Sequence, residues 1–313
     1  MVQETTIAIL GAGAWGATLA NLAAANGHRV RVWSRRGCDT LASVLQDAQI
    51  VVSAISMKGV REVASQVSSF TLSVRDATRT PTTIFVTATK GLEPETICTP
   101  SQIWQSTFPE HPVVVLSGPN LSKEIQQSLP AATVVASQDA TAAETVQVAF
   151  TSHRFRVYTN ADPVGVELGG TLKNVMAIAA GVCDGLHLGT NAKAALVTRG
   201  LTEMVRLGNF WGAKTETFYG LSGLGDLLAT CNSPLSRNYQ VGYQLAAGNS
   251  LTDVLANLPG TAEGVNTCQV LVQLARQKNI VIPITEQVYR LIQGEVTPQQ
   301  ALDELMLRDI KPE

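Results

Sequence analysis

The first half of the chain alternates two textures. Short runs of apolar and β-branched residues at Thr6–Leu10, Arg29–Trp33, Ile50–Ile55, Thr83–Ala88, Val113–Leu116, Thr133–Ala136 and Arg156–Tyr158 read as strands. Between them, Trp15–Ala25, Lys58–Phe70, Ser101–Phe108 and Thr141–Thr151 carry the spacing of helices. Strand and helix in alternation predict a mainly parallel sheet with helices on both faces. Beyond Tyr158 the texture changes. Asp162-Pro163 reads as an N-cap followed by a first helical residue, and from there to Ile310 the pattern is of helices and loops, with no strand.

Glycines mark where the first strand ends. Gly11-Ala12-Gly13-Ala14-Trp15-Gly16 stands between the strand Ile7–Leu10 and the helix that follows. In such a turn Gly11 permits the tight bend, Gly13 lets the backbone approach a pyrophosphate, and Gly16 lets helix and strand pack closely. The helix then offers free N–H groups and the positive end of its dipole to phosphates. Asn26-Gly27 is a suitable C-terminal cap, and a second strand follows at once. A glycine-rich turn that binds nothing is the bland alternative, and the strand–turn–helix–strand context argues against it. The expected fold class is therefore α/β. Residues 1–160 form a Rossmann-like dinucleotide-binding domain, followed over 161–313 by an all-helical domain.

Composition narrows the picture. Among 313 residues, 45% are hydrophobic and 15% charged, which fits a globular chain and not a disordered one. The net charge of −2 leaves no basic footprint for nucleic acid. Met1-Val2-Gln3-Glu4 carries no cationic and apolar leader, and the most apolar helical stretch, near Val175–Val182, reads as too short to cross a bilayer and as beginning beside Lys173. The five cysteines form no C-x-x-C pair and read as reduced thiols of a cytoplasmic protein. His28, His111, His153 and His187 are isolated and lack metal-ligand spacing, so no metal is expected.

In open α/β sheets ligands bind beyond the carboxyl ends of the strands, so the residues that end the strands carry the candidate chemistry. The second strand ends in Ser34-Arg35-Arg36, where an NAD-selective site places an acid for the ribose 2′-hydroxyl. Two guanidinium groups there suit a 2′-phosphate, whereas a solvated surface pair is the plain alternative. Lys90, at the end of the Thr83–Ala88 strand, either points an ammonium into the cleft or leaves the sheet for solvent; the sequence alone does not choose. Lys173 lies early in an apolar helix. There it is either a snorkelling lysine, the simpler reading taken alone, or a desolvated amine whose lowered pKa suits a general base. Ser236-Arg237-Asn238 opens another helix and reads as an ordinary N-cap or as an anion site. Asp226 follows Gly220-Leu221-Ser222-Gly223-Leu224-Gly225, where backbone can approach a ligand; a loop aspartate is the alternative.

Together these segments resemble the soluble NAD(P)-dependent glycerol-3-phosphate dehydrogenases over nearly the whole chain. The resemblance rests on Gly11–Gly16 with Trp15, Lys90-Gly91-Leu92-Glu93 and Leu116-Ser117-Gly118-Pro119. It continues through Gly165–Gly170, Leu172-Lys173-Asn174-Val175, Asn191–Leu196, Thr198–Leu201, Gly223–Leu227, Ser236-Arg237-Asn238 and Ala262–Val265. It implies reversible interconversion of sn-glycerol 3-phosphate and dihydroxyacetone phosphate, supplying glycerol 3-phosphate for glycerophospholipid synthesis, in a cytoplasmic homodimer whose helical domain binds substrate and dimerises. By the resemblance, Lys173 is the general base or acid at the substrate C2 oxygen. Lys90, Gly118, Asn120, Asp226, Ser236, Arg237 and Asn238 bind substrate. Gly11, Gly13, Ala14, Trp15, Gly16, Arg35, Arg36, Lys90, Ser122, Arg237 and Glu263 contact the cofactor, NADP(H) or NAD(H), with NADPH at least as good as NADH.

The sequence departs from the family pattern in three places. Only Gly37–Gln49 separates Arg36 from the third strand, near the minimum for a parallel crossover, so the adenosine side should be trimmed and open. Asn120 and Ser122 stand where the family typically has Ser and Ala, and Thr261 where it usually has Val. Two rival readings remain at this point. One is a related β-hydroxyacid or keto-acid reductase with a carboxylate anchor, and the other is a nucleotide-sensing protein that kept the fold and lost the chemistry.

Overall fold

The structure, a computed structural model, describes residues 4–71 and 83–310. The N-terminal Met1–Gln3, part of the leader reading, lies outside them. The first half contains strands β1 (Thr6–Leu10), β2 (Arg29–Trp33), β3 (Ile50–Ser53), β4 (Ile84–Thr87), β5 (Val113–Ser117), β6 (Ala131–Ala136) and β7 (Phe155–Asn160). Its helices are α1 (Ala14–Ala25), α2 (Leu41–Leu45), α3 (Val60–Thr71), α4 (Pro100–Thr107), α5 (Ser122–Gln126) and α6 (Ala140–Phe150). All seven strands join one sheet in the order β2-β1-β3-β4-β5-β6-β7. Every neighbouring pair is parallel except β5–β6. Chain order reverses direction at β1, between β2 and β3, which places the glycine turn at the switch point where such sheets bind ligands.

Both faces of the sheet are covered, as the near-continuous apolar strands require. Ile7, Ile9, Val52, Val86 and Leu116 pack on one face against Leu19, Ala23, Val146 and Phe150 of α1 and α6. On the other face, Ala8, Leu10, Val51 and Phe85 pack against Val63 and Val67 of α3 and Ile103 and Trp104 of α4. The short segment after β2 folds into the five-residue α2, held by the Thr40 cap and by Leu41 and Val44 pressed into the core.

After β7 the chain is helical: α7 (Pro163–Gly185), α8 (Gly189–Phe210), α9 (Asp226–Cys231), α10 (Arg237–Ala246), α11 (Leu251–Asn257), α12 (Glu263–Lys278), α13 (Pro283–Ile292) and α14 (Pro298–Met306). Asp162 caps α7 as expected, its Oδ1 accepting the Gly165 N–H at 2.9 Å. Its Oδ2 also accepts from the Lys214 N–H and the Thr217 hydroxyl, which ties the start of α7 to the segment after α8.

The expectation of a short apolar helix beginning at Lys173 is corrected. α7 runs 23 residues, Lys173 lies at its middle, and by length and composition the helix could cross a membrane, but 94% of its apolar window is buried inside the protein. Five glycines hid its length from the apolar pattern. They are there for contact: a Cβ on Gly181 would lie 2.1 Å from the Tyr239 carbonyl, and one on Gly242 1.8 Å from that of Ile178. α7 and α10 therefore cross backbone to backbone, and the start of α10 is brought toward the middle of α7.

Candidate active site

At the switch point the glycine turn has the features its sequence promised. Gly11 has φ +119°, a conformation L residues rarely adopt, and a Cβ there would meet the Ala54 carbonyl at 2.5 Å. A Cβ on Gly16 would lie 1.9 Å from the Gly11 carbonyl oxygen, whereas Gly13 faces open space. No side chain among the described residues caps α1, so the N–H groups of Ala14 and Trp15 at its start are available to an anion. These residues fit a dinucleotide pyrophosphate. Arg35 and Arg36 are both exposed at the end of edge strand β2, with the Arg35 guanidinium against Gly59, just before α3. Ser122 is the first residue of α5.

The second cluster joins the two halves of the chain. Asp226, 2% exposed at the start of α9, lies between two lysines. Its Oδ2 accepts from the Lys90 ammonium, which also donates to the Gly118 carbonyl at 3.3 Å. Its Oδ1 lies 3.0 Å from the Lys173 Nζ, which also donates to the Thr230 hydroxyl at 2.5 Å. Thr230 in turn donates to Asp226 Oδ1 at 3.1 Å. Burial lowers the Lys173 pKa most, Asp226 pulls it back up, the Lys90 charge lowers it again, and the balance stands at about 8. Burial would raise the Asp226 pKa, but Lys173 and Lys90 hold it below the ordinary carboxylate value. The cluster thus presents a carboxylate that stays ionised and an amine able to take or give a proton near neutral pH.

Around this pair stand the other predicted residues. Ser236 caps α10, its hydroxyl accepting the Tyr239 N–H at 3.2 Å. Arg237 is exposed, with its guanidinium against Gly260. Glu263 accepts from the Met57 N–H at 3.3 Å and so ties α12 to the nucleotide-binding half; burial raises its pKa, while that bond and the Arg237 charge oppose the rise. Asn120 donates to the Thr133 hydroxyl at 3.0 Å, while its Oδ1 is buried without a partner among the described residues. The Asn238 side chain is engaged in holding the fold, donating to Asn174 Oδ1 at 2.9 Å and accepting the Gly264 N–H at 3.0 Å.

The sequence reading missed Thr230. Its one signal was its position four residues after Asp226 on a helix, where side chains meet. It also missed Thr171, whose hydroxyl accepts the Gly91 N–H at 3.1 Å beside Lys90, and Glu167, buried at 2% exposure.

A glycine turn shaped to fit a pyrophosphate at the switch point of the sheet, in one chain with a buried lysine whose pKa is lowered to about 8, is the pattern of an NAD(P)-dependent dehydrogenase. The comparisons with known proteins carry this further. The profile described as NAD-dependent glycerol-3-phosphate dehydrogenase N-terminus matches residues 6–39 and 36–143, and the C-terminus profile of the same family matches residues 162–303. The chain belongs to the NAD-dependent glycerol-3-phosphate dehydrogenase family. It is 84% identical over 312 residues to a glycerol-3-phosphate dehydrogenase (NAD(P)+) of Trichormus variabilis, covering 100% of this chain and 99% of the relative. It is 85% identical over 312 residues to the like-named protein of a Nostoc species, with the same coverage. The crystal structure of glycerol-3-phosphate dehydrogenase from Coxiella burnetii superposes with a TM-score of 0.90 at 34% identity, covering 97% of this chain and 99% of that one.

Proposed function

We propose that the chain interconverts sn-glycerol 3-phosphate and dihydroxyacetone phosphate with NAD(P)(H), Lys173 moving the proton at the substrate C2 oxygen. The observation that carries this reading is the Lys90–Asp226–Lys173 arrangement, in which a buried amine with a pKa of about 8 sits 3.0 Å from a carboxylate held by a second ammonium. When bound, the dinucleotide takes up or supplies the hydride at C2. Neutral Lys173 accepts the C2 hydroxyl proton during oxidation, and protonated Lys173 returns it during reduction. The Lys90 ammonium lies beside the carbonyl oxygen and stabilises the negative charge that develops there. Asp226 orients both amines and holds substrate.

The phosphate is met by the start of α10: Ser236, the Arg237 guanidinium and the Asn238 N–H. Asn238 acts through its backbone, because its side chain is engaged with Asn174 and Gly264. Gly118 and Asn120 line the substrate beside Lys90. Gly11–Gly16 hold the pyrophosphate; Ser122 and Glu263 contact the cofactor. Arg35 and Arg36 receive a 2′-phosphate, so NADPH serves at least as well as NADH. The protein works as a cytoplasmic homodimer that supplies glycerol 3-phosphate for glycerophospholipid synthesis. Exposed Phe210, Tyr219, Leu228 and Tyr243 on the helical half support the dimer, and five free cysteines support the compartment.

Lys173→Ala tests the proton-transfer role. The variant should bind cofactor with unchanged affinity and lose about 10²–10⁴-fold in kcat. Activity within a few-fold of the parent would make Lys173 a structural residue.

A further inference from the structure

The two lysines that must meet at one substrate atom belong to different halves of the chain. Lys90 follows β4, and Lys173 sits in the middle of α7. Their separation therefore depends on how α7 is seated against the segment that runs from Lys90 to the start of α4. That seat is built from residues on one face of α7. Thr171 accepts the Gly91 N–H at 3.1 Å, at the beginning of the segment. Glu167, one turn earlier and on the same face, accepts the Ser101 N–H at 2.8 Å and the Ser101 hydroxyl, at the segment's end. Between them Gly170 leaves no room for error: a Cβ there would come within 2.2 Å of Ser117 Oγ and 3.2 Å of Lys90 Cε.

Glu167 is an unfavourable residue to bury. It is 2% exposed, and burial raises its pKa to about 7 against the opposing hydrogen bonds from Ser101 and Thr99. The fold does not need it to cap α4, because Thr99 and Gln102 already form a complete capping box there. What Glu167 adds is a tie from the second residue of α4 to α7. No other side chain of α7 reaches that end of the segment among the hydrogen bonds of the described residues.

We propose that Glu167 is a positioning residue that, with Thr171, fixes α7 in height and rotation against residues 90–101 and thereby sets the approach of the Lys90 and Lys173 ammonium groups to the C2 oxygen. This rests on the reading of Lys173 as the proton-transfer group. It does not require the carboxyl to be charged. When protonated, its O–H donates to the Ser101 hydroxyl, whose own proton turns to the Thr99 hydroxyl 3.1 Å away. An amide reproduces that pattern.

The experiment compares Glu167→Ala, Glu167→Gln, Lys173→Ala and Val146→Ala, the last a cavity variant in the sheet core remote from α7. In each, kcat and KM for glycerol 3-phosphate oxidation are measured from pH 6 to 10, alongside thermal unfolding. Glu167→Ala should lose ten-fold or more in kcat with KM for the cofactor unchanged. Its rising pH limb should move alkaline by roughly one unit, because Lys173 loses the neighbouring Lys90 charge and gains water. Glu167→Gln should restore both to near the parent. Val146→Ala should lose stability without moving the pH limb. A Glu167→Ala enzyme with the parent's pH limb and kcat, or a pH limb shifted equally in Val146→Ala, overturns the proposal. If Lys173→Ala keeps activity and limb, the proton-transfer reading fails on its own, whatever Glu167 does.

Discussion

Replacing Asp226 by Asn removes the one negative charge between two ammonium groups while keeping the side chain's shape. Lys173 Nζ and Asp226 Oδ1 are 3.0 Å apart. At an effective dielectric constant of about 20, unit charges at that distance attract by about 5 kcal/mol, an upper bound of about four pKa units. Rearrangement of Lys90 and entry of water return part of this, leaving an expected fall of roughly two to three units. The Lys173 pKa should therefore drop from about 8 in the parent to roughly 5–6 in the variant. In the proposed mechanism dihydroxyacetone phosphate reduction needs the protonated amine, so its kcat should be high below this pKa and fall above it. At pH 7 the parent keeps most of its Lys173 protonated, whereas the variant keeps about one part in ten to one in a hundred, and reductive kcat should fall by about 10–100-fold. The assay is the pH profile of kcat at saturating substrate and cofactor in the reductive direction, so that lost substrate contact appears in KM instead. Losing the buried carboxylate that both lysines face should also cost about 3–5 kcal/mol of stability, checked by unfolding under the same conditions. A folded Asp226→Asn enzyme whose profile still turns near the parent pH would refute the electrostatic argument.

Two further substitutions probe the cofactor end. Replacing Arg35 and Arg36 together by Ala should raise KM for NADPH far more than for NADH, since losing a charged hydrogen bond costs about 1.5–3 kcal/mol and only NADPH carries the 2′-phosphate; equal weakening of both cofactors would show that the arginines serve a shared part of the molecule. Gly16→Ala should abolish tight cofactor binding, because the new methyl would stand 1.9 Å from the Gly11 carbonyl and must push the turn open; unchanged affinity by calorimetry would mean that the turn is not held in this shape.

Most of the sheet was legible because strands buried on both faces make continuous apolar runs, and β1 and β2 have the bounds the pattern predicts. α2 and α5 were not, since five residues give too few periodic positions to register a helical repeat. α7 reads short in the sequence because its glycines, required where backbones touch, look like breaks in an apolar pattern. In the site, Lys90, Lys173 and Asp226 could be named from residue type and resemblance, but their joining across more than a hundred residues is a property of the fold alone. Thr230 and Glu167 were invisible for the same reason: a threonine in an apolar helix or a glutamate among glycines gains meaning only from what lies opposite. Asn238 shows the reverse case, where a residue type suited to a phosphate has its side chain committed to holding α7 and α12 together.

The measurement closest to the central claim is oxidation of NADPH or NADH by the purified protein, followed at 340 nm, with dihydroxyacetone phosphate and with unphosphorylated dihydroxyacetone as alternative substrates. Rapid turnover of the phosphate ester and none above background for the free ketone are expected from the proposed roles of the start of α10 at the phosphate and of the lysine pair at C2. Equal rates with both compounds, or turnover of 2-keto acids in preference to either, would contradict it.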